Sequence, residues 1–369
     1  MILGVDVSTL PESRRLGAIY RKHGIEVNPL EDIVVHNGVS MVRLRVWVDP
    51  YGEDGEPYLG GTCDFKNYVE VAKEAKALGC GILLDPHFSD FWVDPGKQTL
   101  PKAWKDVPTE KLPDTLRAYC KQLFQACKDS GVEPDWIQMG NEITNGILWP
   151  YAKLTDGSPR GNYDHLAIAL GIVAEEARLA FPKIRRMIHL ERSYDNVVYR
   201  EFFDHIVPKV DFEIIGMSYY PYWHHGFDEM FANLADIRDR YGKAMVIVET
   251  GYGFTLEDYV DQPLDNSTLC VTEDSIAEFG GTKPFPLTPE GQVCFIEELL
   301  RRAKENGVEA IFYWEPFWIP GDGVCWASRA GQDYIHENKA STRNEWANQC
   351  LYDYEGNSLP ALEAFSLKK

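Results

Sequence analysis

Basic charge is scarce in this chain of 369 residues: 37 Lys and Arg face 57 Asp and Glu, a net charge of −20 at pH 7. No basic stripe interrupts that balance, and a surface of this sign repels phosphate backbones, so no nucleic-acid partner is expected. No apolar run approaches the roughly 20 residues a membrane span requires. Mean hydropathy is −0.31, and no membrane partner is expected either. The eight cysteines never form C-x-x-C and never stand at finger-like spacing from a histidine, which argues against zinc and leaves no metal among the expected ligands. Cys120 and Cys127, about 10 Å apart along one predicted helix, are too distant to bridge and read as small buried hydrophobes. A pair among Cys270, Cys294, Cys325 and Cys350 is left open. Also missing are repeats, low-complexity tracts and Pro/Ser linkers, so residues 1–369 read as one domain. The start, Met1-Ile2-Leu3-Gly4-Val5-Asp6, has neither the charged nor the long apolar region of a signal peptide. The expectation is cytoplasmic if Met1 is native, secreted if a leader was removed.

What the sequence does have is alternation. Short β-prone runs at Ile2–Val7, Met41–Val48, Gly81–Phe88, Trp136–Glu142, Arg185–Leu190, Phe212–Tyr220, Met245–Thr250 and Ala310–Pro316 give eight strands. Helical periods fall between them at Glu31–Asn37, Phe65–Leu78, Pro113–Ser130, Tyr163–Phe181, Tyr199–Val207, Phe227–Tyr241 and Pro289–Asn306. Eight βα units in this length predict an α/β fold, a (β/α)8 TIM barrel with long loops after strands three, seven and eight. Strand parity sharpens the prediction. In the second strand Val42, Leu44 and Val46 point one way and Arg43, Arg45 and Trp47 the other. A parallel strand is ordinarily apolar on both faces, so two arginines on one face predict a charged lumen with Asp6, Asp85 and His87 as partners.

Barrel enzymes build their sites at the C-terminal ends of the strands. Strand four closes on Gly140-Asn141-Glu142 and strand seven on Val248-Glu249-Thr250-Gly251. These strands lie across the barrel from one another, so the two carboxyls can flank a bond held over its mouth, the arrangement that glycoside hydrolysis needs. Glu249 is expected as nucleophile, kept ionised by Tyr220 and by positive charge from Arg45; Glu142 is expected as acid and then base. Asn141 suits a donor to the sugar 2-hydroxyl. Asp85, His87 and His189 are candidates to orient a carboxylate or meet a hydroxyl. Trp47, Trp92, Trp149, Trp223, Trp314, Trp318 and Trp326 lie at or after strand ends with Tyr151, Tyr219, Tyr220 and Tyr222. Flat aromatic faces cover the C–H faces of pyranose rings, and Trp314 is the expected platform under the reacting sugar. Trp136, at the other end of strand four, reads as core.

Several long motifs, in order and spanning almost the whole chain, resemble the arabinogalactan endo-β-1,4-galactanases of glycoside hydrolase family 53, in the clan of retaining barrel glycosidases. They are Asp6-Val7-Ser8-Thr9-Leu10-Pro11-Glu12, Val42-Arg43-Leu44-Arg45-Val46-Trp47-Val48-Asp49-Pro50, His87 through Gln98 followed by Lys102-Ala103-Trp104, Gly140-Asn141-Glu142, Glu249-Thr250-Gly251-Tyr252 and Tyr313-Trp314-Glu315-Pro316. The resemblance implies hydrolysis of β-1,4-linked galactose in pectic galactan with retention, hence carboxyl groups roughly 5–5.5 Å apart. It also implies a structural calcium in some members, between the loops after strands seven and eight. Here Leu256 to Pro263 lacks the ligand spacing, and Ala347 stands where a carboxylate is usual. The loop from Gly251 to Thr288 is still acidic, through Glu257, Asp258, Asp261, Asp265, Glu273, Asp274 and Glu278, which leaves a differently built oxygen-rich calcium site open, with a solvated loop the preferred reading. Pro86 replaces a common aromatic. Competing readings are a barrel glycosidase acting on short galacto-oligosaccharides or another β-linked glycan, and a barrel that binds galactan without cleaving it. Two closely held carboxylates argue against the last.

Overall fold

A computed structural model describes residues 1–155, 160–260, 268–336 and 343–367. Eight parallel strands close into a barrel: β1 (Ile2–Asp6), β2 (Met41–Val46), β3 (Gly81–Pro86), β4 (Trp136–Gln138), β5 (Arg185–Leu190), β6 (Ile214–Tyr219), β7 (Ala244–Thr250) and β8 (Ala310–Trp314). Each strand pairs with its sequence neighbours, and β1 closes on β8 from Ile2↔Ala310 to Asp6↔Trp314. The predicted eight-stranded barrel is therefore the observed fold. Around it run α1 (Pro29–Asp32), α2 (Phe65–Ala77), α3 (Leu112–Asp129), α4 (Tyr163–Ala180), α5 (Asn196–Ile206), α6 (Phe227–Tyr241), α7 (Pro289–Glu305) and a short α8 (Pro360–Ala364). Among the described residues no helix is long and apolar enough to cross a membrane.

Local chemistry accounts for the helix limits. Asp64, Asn162, Asp195 and Thr288 cap α2, α4, α5 and α7 by accepting backbone N–H groups in the first turn. Gly242 ends α6 in the left-handed conformation that favours glycine. The buried face of α3 carries Leu116, Cys120, Leu123, Phe124 and Cys127, at the period the sequence shows. All eight cysteines are free, so no pair among the later four is bridged, and Cys294 is exposed.

The lumen has two storeys, and both follow from strand parity. Below, Met41, Leu83, Trp136, Met187, Ile214, Val246, Val248, Ala310 and Phe312 form an apolar cluster separate from the larger core between strands and helices. Trp136 is thus core. A Cβ on Gly4 would lie 2.3 Å from the Phe312 ring, so the bulky Phe312 requires glycine opposite it. Above, the same inward positions turn polar: Asp6, Arg43, Arg45, Asp85, Gln138, His189 and Ser218 are all buried.

Two departures from regular strands shape the mouth. The expected strand Trp136–Glu142 stops at Gln138 because Gly140 (φ 93°) and Glu142 (φ 47°) leave extended space. In β7 the register against β6 slips, so that Ser218 faces Glu249 where strict alternation would bring Val248. This bulge turns Glu249 to the lumenal side directly after lumenal Val248.

Candidate active site

Arg43 is the centre of the polar storey. Its guanidinium contacts Asp6 at 2.7 Å, Asp85 at 2.8 Å and Glu249 at 2.8 Å, and donates to Gln138 and to Asn141 Oδ1 at 3.1 and 2.9 Å. A fully buried guanidinium survives here because carboxylates surround it and every side of its fork is used. Arg45, expected beside Glu249, is instead engaged elsewhere. It pairs with Asp6 at 3.0 Å and Glu315 at 2.5 Å and lies against the rings of Trp92 and Trp314, 4.8 and 5.1 Å from their centroids. Arg43 supplies the positive charge to Glu249. The sequence placed both arginines on one face, but depth in the lumen decides which carboxylate each one meets.

Glu249 also accepts from the Tyr220 hydroxyl at 3.0 Å, the contact that parity anticipated. Burial pushes its carboxyl above the usual carboxylate range, while Arg43 and Tyr220 pull it back. Among the described residues Glu142 has no cation in contact. Burial first, and then the charges of Glu249 and Glu191, hold its pKa well above the usual value, opposed by one hydrogen bond from Ser218 at 2.7 Å. The two carboxyls are therefore unlike: Glu142 keeps its proton to higher pH than Glu249. Carboxylate oxygens of Glu142 and Glu249 and a nitrogen of His189 lie within 4.8 Å of one another. Both His189 nitrogens are already turned to wall groups, Nε2 to Ser218 Oγ at 2.8 Å and Nδ1 to Asn141 Oδ1 at 3.1 Å. The cluster thus joins two carboxyls to a histidine whose ring nitrogens are both engaged by the wall.

These groups open into a cleft of about 650 Å³ lined by Arg45, His87, Trp92, Asn141, Glu142, Tyr220, Glu249 and Trp314 among the expected residues. Asp85 and His189 are not on its wall. Both are fully buried behind it, Asp85 tied to Arg43, His87 and Gln138, so they orient other groups and do not reach a ligand. Trp47 donates to His87 Nδ1 at 3.0 Å, and that nitrogen is bare; the other, toward Asp85, carries the proton. Of the remaining aromatics, Trp223 and Trp326 line the cleft. Trp47, Trp318, Tyr219 and Tyr222 are buried packing, while Trp149 and Tyr151 lie off the cleft wall. Asn141 spends one amide hydrogen on Val93 O at 3.0 Å, which leaves one for a ligand.

Sequence reasoning missed four contributors. Ser218, on the inward face of β6, was not singled out. Glu191, one residue beyond β5, lines the cleft; burial raises its carboxyl to about 7 against a hydrogen bond from Thr144. His224 follows β6, and Trp346 packs edge-on against Trp314 at 4.5 Å. His224 and Trp346 come from loops whose paths no period reveals; the glutamate after His189-Leu190 was visible as another strand-end carboxylate.

In the described part of the loop after β7, two of the acidic side chains are already engaged. Asp258 spends its carboxylate on the backbone N–H groups of Val260 and Thr268, and Glu273 pairs with Lys283 at 2.5 Å. Asp261 and Asp265 lie outside the described residues.

Comparison with known proteins gives one answer. A sequence profile described as Glycosyl hydrolase family 53 matches residues 2–365. A solved structure described as the Ignisphaera aggregans GH53 catalytic domain superposes with a TM-score of 0.87 at 34% identity, covering 99% of this chain and 95% of that one. The endo-β-1,4-galactanase of Bacillus subtilis is 28% identical over 391 residues, 99% of this chain and 85% of the relative. A probable arabinogalactan endo-β-1,4-galactanase A of Neosartorya fischeri is 32% identical over 325 residues, 86% and 84% of the two chains. With its barrel and its unlike carboxyl pair, the chain belongs to glycosyl hydrolase family 53.

Proposed function

We propose that this glycosidase cleaves β-1,4-galactosidic linkages of galactan or of arabinogalactan side chains, with retention of configuration. The substrate follows the relatives, whose names specify β-1,4-galactan linkages. The observation that carries the mechanism is the approach of Glu142 and Glu249 oxygens to within 4.8 Å. Oxygens this close suit direct attack on the anomeric carbon, whereas an inverting enzyme holds its carboxyls about 6.5–9.5 Å apart to admit water.

Glu249 attacks C1 from one face as the glycosidic C–O bond breaks, and Glu142 gives its proton to the leaving oxygen. The covalent galactosyl ester on Glu249 is then hydrolysed by a water that Glu142, now ionised, deprotonates. Arg43 and Tyr220 hold Glu249 anionic and aimed. Trp314 supplies the apolar floor for the reacting ring, and the remaining amide hydrogen of Asn141 meets its 2-hydroxyl. Digestion of linear galactan, xylan and mannan with anomer-resolved NMR tests the reading. Release of β-anomers from galactan is expected; α-anomers would overturn retention, and cleavage of xylan or mannan with galactan untouched would overturn the substrate.

A further inference from the structure

Glu142 acts through two oxygens, and the wall beneath treats them differently. Oε1 accepts from Ser218 Oγ at 2.7 Å; Oε2 has no hydrogen bond among the described residues. The same Ser218 oxygen lies 2.8 Å from His189 Nε2. A hydroxyl has one hydrogen, so Ser218 donates either to the histidine or to the carboxyl, and the histidine tautomer decides which. Burial and the Arg43 charge hold His189 well below its usual pKa, so it carries a single ring hydrogen.

The groups around the ring place that hydrogen. Asn141 Oδ1 already accepts from Arg43 at 2.9 Å and shares one Gln138 amide hydrogen, 3.2 Å away, with Gly140 O. The backbone N–H of Glu142 itself points to His189 Nδ1 at 3.4 Å. Nδ1 is thus the acceptor, Nε2 carries the hydrogen and donates to Ser218 Oγ, and the serine hydroxyl is left for Glu142. Were the hydrogen on Nδ1, donating to Asn141 at 3.1 Å, Ser218 would turn to Nε2 and Glu142 would lose its donor.

We propose that Ser218, set by the Nε2–H tautomer of His189, is a positioning residue that fixes Oε1 of Glu142 as acceptor and so leaves the transferable proton on Oε2. The inference rests on the acid role of Glu142. In the first step Oε2 gives its proton to the glycosidic oxygen as the C1–O bond breaks, and Oε1 stays with Ser218 throughout, so the carboxyl does not rotate between its acid and base duties.

Two measurements test this. In protein labelled with 15N-histidine, the His189 resonances, identified by their loss in His189→Gln, are expected to show Nε2 protonated and Nδ1 bare; a protonated Nδ1 overturns the proposal. The second compares leaving groups. Ser218→Ala is expected to lower kcat/KM on an unactivated galacto-oligosaccharide about tenfold or more, with less than about a twofold change on a 2,4-dinitrophenyl galactobioside, whose leaving group needs no proton. An equal loss on both substrates overturns it. Glu142→Gln in parallel separates the two levels of the argument. If that variant also fails to discriminate, the acid assignment itself is wrong; if it discriminates and Ser218→Ala does not, only the positioning role falls.

Discussion

Glu142 is costly to the protein in two ways. It adopts φ 47°, a left-handed conformation that a side chain with a Cβ disfavours, and its half-buried carboxyl feels the charges of Glu249 and Glu191. A carboxyl whose folded pKa is raised binds its proton more tightly in the folded state. Stability is therefore full below the unfolded value and is lost as pH rises toward the folded one. Glu142→Gln, which never ionises, is expected to raise Tm at pH 8 and leave it unchanged at pH 4, as differential scanning calorimetry at the two pH values would show. Its galactan activity is expected to fall about 100-fold or more, measured as reducing ends released. The neighbour provides a second test. Removing the Glu249 charge with Glu249→Gln is expected to lower the pKa of Glu142, read by 13C NMR of labelled glutamate, because one of the charges opposing ionisation is gone. An unchanged value would mean that burial and Glu191 set it without Glu249.

At the level of the strands, two irregularities place the pair of carboxyls. The end of β4 needs Gly140 at φ 93°, where a Cβ would also come within 2.9 Å of Ile143. Gly140→Ala is expected to cost about 1–3 kcal/mol in urea unfolding and to lower kcat through displacement of Glu142. The β7 bulge does the same service for Glu249. The sequence showed an apolar run closing on a glutamate, but strict alternation after lumenal Val246 and Val248 would have turned Glu249 outward. Strand existence was legible in all eight cases. The early stop of β4 and the bulge inside β7 were not, because a bulge depends on hydrogen bonds to a neighbouring strand that no local pattern encodes. The same limit explains the first helix, expected as Glu31–Asn37 and found as α1 followed by a wider π-helical turn over Ile33–Asn37.

Across the whole molecule, Arg43 ties β1, β3 and β7 to β2 through Asp6, Asp85 and Glu249. Removing it would leave these buried carboxylates without their shared cation, a loss of about 3–5 kcal/mol. Arg43→Lys is expected to rescue neither stability nor kcat, since an ammonium cannot present a planar fork to three carboxylates and two amides; urea unfolding and galactan kinetics check it. The amino-acid sequence by itself determined the barrel, the inward polar faces, the two glutamates and the family, since each rests on periodicity or on contiguous motifs. Only the tertiary structure decided that Arg43 and not Arg45 meets Glu249, that Asp85 and His189 stand behind the cleft, and that Ser218 reaches Glu142. Parity along a strand gives the direction of a side chain. The height and rotation at which eight strands close determine which side chains come within hydrogen-bonding distance.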